Sequence, residues 1–592
     1  MSRRAAFVFI ALLALAMFAR PLVRGEVLTF RDHADYFQPL RYFTAVELRN
    51  FRLPLWNPYS ASGEPWLANP QTAVFYPPFW IFYLIPFAQA YVIFLLLHVI
   101  LLGCGAFLLF SRLASPRAAF LGAIALMLCG PTLSMLDIQN NLTTFAWLPV
   151  VLWCALSDVG PIWSAAAIAM SFLAGEPFFA AIGAFVFAGV QTGFSRSGRL
   201  KSALTLIDVA LTSFCLASIT LVPFLAMIVG SDRAGAVPSE EVLRDSMPLS
   251  DWLRLVIPGP TTQHFIPILY IGIVPALLAI FAVTAKKSRW WLLLFAISVV
   301  VASGRFLPPI GALLAHLPVN ILRYPARVVP LGAFALIALA VIGFDRVGRA
   351  PWMFYAAIAL TIVDVVPHIA PLLHGAPFNV HAVPYTPNVG RGEKVMRIGQ
   401  PERGFDRAIW ISGYLNLFER RFDAWTAAPV VSESYLRAYE NALRSPEALN
   451  KMSIGFVLER TARGVSVERN AYAYPLAYFR DANGKISLPA SLAFTTRGVF
   501  IALDAPGDGI LIVTQQDAPG WSVAIDHTPA IAEREGIFRA VRVARGHHEV
   551  IWRYHPRSFS IGVVLTILGL ARMLLQNFFV KREWHKKSFS IA

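Results

Sequence analysis

The sequence predicts a polytopic α-helical membrane protein of about twelve transmembrane helices, with an extracytoplasmic β-sandwich-containing domain before the last helix. Three observations carry this. Hydrophobic residues make up 57% of the 592 and mean hydropathy is +0.58, above the composition of soluble domains. Apolar stretches of about 15 to 23 residues recur, close to the length that crosses a bilayer. Lys and Arg gather in short loops between those stretches. The net charge of +16 therefore follows the positive-inside rule rather than a nucleic-acid footprint.

The elements follow in order. Arg3 and Arg4 precede the apolar run 5–19, and no clear small-residue cleavage site follows. This is the pattern of an uncleaved first helix with a cytoplasmic N-terminus. The loop 23–78 then lies outside, rich in Pro, Trp, Tyr and Asn. Pro77, Pro78 and Pro86 break the apolar stretch 76–88, which lies at the interface or re-enters. Helix 90–111 returns to Arg112 and Arg117. Helix 118–135 leads out to Asp137, Gln139 and Asn140, and 143–157 comes back. Helix 161–174 exits to Gly175-Glu176-Pro177, and 178–193 returns to Arg196, Arg199 and Lys201. Helix 203–229 exits to a polar loop, 230–264, and 266–285 returns to Lys286, Lys287 and Arg289. Helix 290–303 exits to a loop ending in Arg323-Tyr324-Pro325-Ala326-Arg327, and 328–344 returns to Arg346 and Arg349. Helix 351–370 exits, and 558–579 returns to Lys581, Arg582, Lys586 and Lys587. The alternation closes with both ends in the cytoplasm.

Three units result: a membrane core 1–370, an outer region 371–556, and a last helix with a basic tail, 557–592. The later part of the outer region alternates like strands near 498–503, 509–514, 521–525 and 548–554, with Gly, Pro and Asp between them. Short strands with such punctuation suggest a β-sandwich. The part 391–455 reads mixed, with a helix near 433–445. Cys104, Cys129, Cys154 and Cys215 all fall in apolar runs, so no disulfide is expected outside.

Candidate functional residues cluster at the outer ends of the helices. Asp32 and Asp35 lie just past helix 1 in the polar stretch Arg31 to Pro39. Carboxylates are costly near lipid and commonly mark function there. His33 and these carboxylates suit a hard metal poorly unless other oxygen ligands join, so a divalent cation stays open and its ligands unassigned. Arg323 and Arg327 flank Tyr324 and Pro325. Guanidinium forks match phosphate geometry, though interface anchoring on lipid headgroups is the alternative. Glu176 and the cluster Asp137, Gln139 and Asn140 are outer polar residues between apolar helices. His264 precedes helix 266–285 on the same side. Trp56 could stack on a sugar ring or belong to an aromatic belt. The chain has no P-loop, no Gly-rich dinucleotide fingerprint, no HExxH, no CxxC and no nucleophile elbow.

The motifs Leu53-Pro-Leu-Trp-Asn-Pro-Tyr59, Gly63-Glu-Pro65, Ala68-Asn-Pro-Gln71 and Phe75-Tyr-Pro-Pro78 resemble the first outer loop of the YfhO-like bacterial membrane proteins. Ala518-Pro-Gly-Trp521, Phe538-Arg-Ala-Val541, Gly546-His547 and Tyr554-His-Pro-Arg557 resemble that family's outer β-domain and the start of its last helix. The resemblance implies an integral membrane glycosyltransferase of the GT-C class in the bacterial inner membrane. Such enzymes take a sugar from a polyprenyl-phosphate carrier and transfer it outside the cytoplasm, here to an envelope glycan or lipid. It also implies an essential acidic residue in the first outer loop, for which Asp32 fits best and Asp35 second. Arg323, Arg327 and Tyr324 would hold the donor phosphate. Asn57, Glu64, Asn69 and Gln71 join Trp56, Glu176, Asp137, Gln139, Asn140 and His264 as candidate substrate contacts. A lipid or glycan transporter, and a non-catalytic envelope scaffold, are the competing readings. Membrane lipids are expected partners and nucleic acid is not.

Overall fold

The computed structural model describes residues 2–589 apart from 158, 195–198, 236–237, 317–322, 381–389, 391, 399–412 and 462–463. Arg196 of the basic loops lies outside the described residues. Among those described, six helices are long and apolar enough to cross a membrane: Arg3–Arg24, Phe87–Phe110, Ser202–Ile228, Pro325–Val347, Pro351–Leu373 and Arg557–Gln576. Pro116–Leu128, Pro161–Leu173 and Pro177–Thr192 are apolar but shorter. Burial orders them: Pro325–Val347 is 89% buried and central, whereas Arg557–Gln576 is 11% buried and peripheral. The peripheral helix lies along the helix 202–228. There Thr566 Oγ1 donates to the Cys215 carbonyl at 3.0 Å and accepts from Ile219 N at 3.0 Å. Arg572 pairs with Asp208 about two turns further on.

Several expected helices are interrupted, each by a residue that cannot continue one. The stretch 118–135 ends as a helix at Leu128 and resumes as a single turn, Gly130–Leu133. Pro131 stands at its start, and Gly130 N donates to Tyr270 O at 2.7 Å. The stretch 143–157 divides into Gln139–Phe145 and Leu148–Ala155, with Pro149 in the first turn of the second. The stretch 266–285 shortens to Ile273–Ile280, preceded by Gly272 at φ 99°. Asp364 caps that helix by accepting from Ile273 N at 2.8 Å. Conversely, the first outer loop contains a helix, Gln38–Arg49, that the hydropathy pattern did not suggest. Pro39 in its first turn is well suited to start it, and Leu40 and Phe43 bury its inner face.

The described residues of 371–556, the outer region of the expected topology, are rich in β-structure. Two five-stranded antiparallel sheets face each other. One runs Ile486–Ser487, Ala477–Asp481, Gly509–Gln516, Phe538–Val543, Glu533–Glu535. The other runs Ser491–Phe494, Gly498–Ala505, Gly546–Tyr554, Trp521–Ile525, Thr528–Ala530. Alternate residues point inward, as the two-residue pleat requires. Val499, Ile501, Leu503, Leu511, Val513, Val541 and Trp552 form the core between the sheets. A separate four-stranded sheet holds Lys394–Ile398 between Phe422–Asp423 and Ile454–Thr461, both parallel to it.

The first outer loop is fastened to this region. Gln516 N donates to Ser62 O at 2.7 Å, and Thr496 Oγ1 donates to Glu47 at 3.0 Å. Arg539, fully buried, lies 3.4 Å from the Trp521 ring and near Trp56 and Trp552. Burial lowers its pKa to about 9, so it stays cationic near neutrality. Glu26–Leu28 pairs with Gly375–Pro377, tying the outer end of helix Arg3–Arg24 to the exit of helix Pro351–Ile369.

Lys394 sits where three pieces meet. Its Nζ donates to Ser62 Oγ at 3.0 Å and to the carbonyls of Met452 and Thr514, both at 2.9 Å. Burial lowers its pKa from 10.5 to about 7. Between those values the unfolded chain binds the extra proton, so stability rises with pH across that window. Thermal unfolding followed by tryptophan fluorescence should show the outer region gaining stability from pH 7 to 10. Lys394→Met should flatten that rise. It should also cost about 2–3 kcal/mol, because two buried carbonyls lose their donor.

Candidate functional site

A cavity of about 1630 Å³ opens at the outer end of the helices. Its walls come from the start of the first outer loop, from residues 138–141, from 175–178, from 260–267 and from 323–327. Phe224, Leu225 and Ile228, at the outer end of the helix 202–228, give it an apolar side. Residues 427–430 of the outer region roof it. The roof is tied down: Asp232 N donates to Val431 O at 2.9 Å, and Arg233 Nη2 donates to Pro429 O at 2.9 Å.

Asp32 lines this cavity. Arg31 before it adopts a left-handed backbone at φ 48°, and a π-helical turn, His33–Phe37, follows. A left-handed non-glycine residue costs roughly 1–2 kcal/mol. Asp245 at φ 58° and Tyr324 at φ 64° share that conformation and also line the cavity. Strain of this kind concentrates at functional sites. Arg31 Nε lies 3.0 Å from Asp137 Oδ2, and its Nη1 donates to His264 O at 2.5 Å.

Asp35 is placed differently. It is not among the cavity-lining residues, and its carbonyl accepts from Tyr414 N at 2.7 Å. Gly413, at φ 55°, packs directly on that carbonyl, where a Cβ would come within 2.0 Å. The outer region thus covers Asp35 and leaves Asp32 facing the cavity.

Glu176 is buried opposite, accepting from Asn140 Nδ2 at 2.7 Å and pairing with Arg327 Nη1 at 3.4 Å. Arg327 also lies 5.6 Å from the rings of Phe178 and Phe265. Gly175, at φ 109°, lets this turn pass under the outer loop; a Cβ there would sit 2.9 Å from Pro70 O. Gly175→Ala is therefore expected to displace Gln71 and Glu176 from each other and cost about 2 kcal/mol. Thermal unfolding against the neighbouring Ala174→Gly change would check it.

Each cavity arginine has a carboxylate neighbour. Arg31 has Asp137 at 3.0 Å, Arg233 has Asp232 at 3.4 Å, Arg327 has Glu176 at 3.4 Å, and Arg323 contacts Glu241. The guanidinium groups are thereby held at the wall with defined orientations. A further cation lies beneath: Arg41, fully buried, donates to the carbonyls of Gln71 and Thr72 at 2.8 Å. Burial lowers it to about 10, so it remains charged. Gln139 contacts Arg41 Nε and His33 Nδ1, both at 3.4 Å. His33, fully buried and lowered to about 3, is neutral. His33 Nδ1 lies 2.8 Å from the Tyr91 hydroxyl, and its buried Nε2 has no hydrogen-bond partner among the described residues.

The candidate residues therefore divide. Asp32, Gln71, Asn140, Glu176, His264, Arg323, Tyr324 and Arg327 share one cavity. Asp137 and Gln139 stand just behind its wall. Trp56, Asn57, Glu64 and Asn69 do not line it. Trp56 meets the Trp521 ring edge-on, with centroids 5.1 Å apart, and the tilted Tyr554 ring at 4.8 Å. Asn57 donates to Glu64 at 2.9 Å, Glu64 accepts from Thr426 at 2.7 Å, and Asn69 caps Gln71 N at 3.0 Å. These are contacts that hold the outer loop. Arg233, Tyr36, Phe178, Phe265 and the roof 427–430 went unnoticed in the sequence. Among the described residues no group of three or more His, Cys, Asp or Glu side chains is placed to hold a metal ion.

The described residues thus form a core of long apolar helices, a β-rich region and a cavity between them. Solved structures agree. The chain is similar to the arabinofuranosyltransferase AftD from Mycobacteria, with a TM-score of 0.51 and 13% identity over 94% of this chain and 42% of that one. A second structure of the same variant enzyme gives 0.50 and 10% identity over 94% and 60%. A further AftD structure gives 0.50 and 13% over 78% and 35%. The chain thus spans between 35% and 60% of the lengths of those chains. No protein-family model matches the sequence, and no curated protein matches it.

Proposed function

We propose that this protein is an integral membrane glycosyltransferase. It moves a sugar from a polyprenyl-phosphate donor to an envelope glycan or lipid on the extracytoplasmic side. The observation that supports it is one cavity lined by Asp32, by Arg323 and Arg327 with Tyr324, and by the apolar end of a membrane helix. The AftD-like fold supports the same class. The reading includes a bacterial inner-membrane location and twelve crossings with both ends in the cytoplasm, the short and broken helices bordering the cavity.

The chemistry follows from the placement. Asp32 takes the proton of the acceptor hydroxyl. The acceptor oxygen bonds to the anomeric carbon as the bond from that carbon to the phosphate oxygen breaks. The leaving polyprenyl phosphate keeps the electron pair, and Arg323 and Arg327 stabilise it. Phe224, Leu225 and Ile228 receive the first isoprenes from the bilayer.

The test is purified protein in lipid nanodiscs, given a panel of polyprenyl-phosphate sugars and an envelope lipid extract. Release of polyprenyl phosphate that depends on the extract supports transfer. No release from any donor refutes the proposal, and uptake of lipid across the bilayer in vesicles would favour transport.

A further inference from the structure

Three guanidinium groups converge on one tyrosine. The Cζ atoms of Arg323, Arg244 and Arg327 lie 4.8, 5.1 and 6.0 Å from the centre of the Tyr324 ring. Arg244 Nη2 donates to the Tyr324 hydroxyl at 2.6 Å, and Phe265 stacks on the ring at 5.8 Å. The ring's π-face attracts the cations, and the left-handed backbone of Tyr324 is held by these contacts.

Three like charges at one ring need a nearby anion. Glu241 supplies it. Its Oε2 lies 3.1 Å from Arg244 Nη1, and its Oε1 contacts Arg323 Nη2. A carboxylate bridging two guanidinium forks uses the donors that a phosphate would use. Glu241 comes from the single helical turn Ser239–Val242, in the loop that follows the helix 202–228. Its side chain is 28% exposed. Arg323 and Tyr324 meanwhile face the cavity. The Nε atoms of Arg323 and Arg327 are buried and have no hydrogen-bond acceptor among the described residues. Buried donors without acceptors are uncommon, and these two leave binding capacity beside the anion already present.

We propose that Glu241 is an internal stand-in for the phosphate of the lipid ligand, and that Arg244 is a third arginine of its binding site. In the empty protein Glu241 holds Arg244 and Arg323 together. A polyprenyl phosphate group displaces it, and its return competes for the same arginines and favours release of the product. This rests on the cavity being the donor site.

The test measures binding of undecaprenyl phosphate, and separately of inorganic phosphate, to the full protein in nanodiscs. Glu241→Gln keeps the shape and removes the competing charge; it should bind about tenfold tighter. Arg244→Gln should bind about tenfold more weakly. A gain for both probes assigns the exchange to the phosphate group, and a gain for the lipid alone assigns it to the membrane-delivered phosphate. Glu241→Asp, too short to bridge both arginines, provides a second variant and should also bind more tightly than wild type. Unchanged or weaker binding by both Glu241 variants, while Arg327→Gln still lowers it, overturns this inference alone. Binding indifferent to Arg323 and Arg327 overturns the donor-site reading and this inference together.

Discussion

Asp32→Asn should abolish sugar transfer while leaving donor binding and the fold intact. A positioned base contributes about 10²- to 10⁴-fold to such steps, so a loss of at least about 10³-fold is expected. Asparagine keeps the size of the side chain and its capacity to accept a hydrogen bond, but it cannot take a proton at neutral pH. The backbone around Asp32 is already fixed by the left-handed Arg31, by the Arg31–Asp137 pair and by the buried Arg41–Gln71 contact. Thermal unfolding of the same variant, measured beside activity, separates loss of the base from loss of the fold. Asp35→Asn should keep most of the activity, because the outer region covers Asp35 at Gly413 and Tyr414. Release of polyprenyl phosphate by the four proteins, wild type, Asp32→Asn, Asp35→Asn and the double variant, separates the two carboxylates. Full activity in Asp32→Asn would remove it as the base and turn attention to Glu176.

What could be read from the sequence had a common physical origin. Asp32, Glu176, Arg323 and Arg327 are charged residues at the outer ends of apolar runs, where desolvation makes a chance charge expensive. The β-sandwich was visible because the two-residue pleat writes alternation directly into the chain. The helix interruptions at Pro131, Pro149 and Gly272 were also written there, but mean hydropathy averages over single breakers. The division of the outer-loop residues was not legible. Trp56, Asn57 and Glu64 have the chemistry of sugar contacts, yet short-range sequence does not say which way a loop residue faces. Trp56 meets Trp521 and Tyr554, more than four hundred residues away, and no local signal carries that contact. The roof 427–430 and its tie to Arg233 are equally long-range. Asp32 precedes the π-helical turn His33–Phe37 and Asp35 lies within it, a local geometry that the polar loop stretch did not signal.

Arg327→Gln should lower the affinity for polyprenyl phosphate by about 10- to 100-fold, the range expected when a charged hydrogen-bond donor to an anion is lost. Its position makes this the second largest effect. Arg327 faces the cavity, is held by Phe178, Phe265 and Tyr324, and has a buried Nε with no acceptor among the described residues. The same change strands Glu176, which is buried and loses its cation. A buried carboxylate left without its partner costs about 3 kcal/mol, tempered here by the Asn140 and Phe178 donors that remain. Weak binding could therefore reflect a disturbed wall rather than a missing contact. The double variant Arg327→Gln/Glu176→Gln separates the two. Neutralising Glu176 removes the stranded charge, so thermal stability should return to within about 1 kcal/mol of wild type. Affinity should not return, because the guanidinium that meets the phosphate is still absent. Recovery of both would reduce Arg327 to a counter-ion for Glu176 and move the phosphate site toward Arg323 and Arg244.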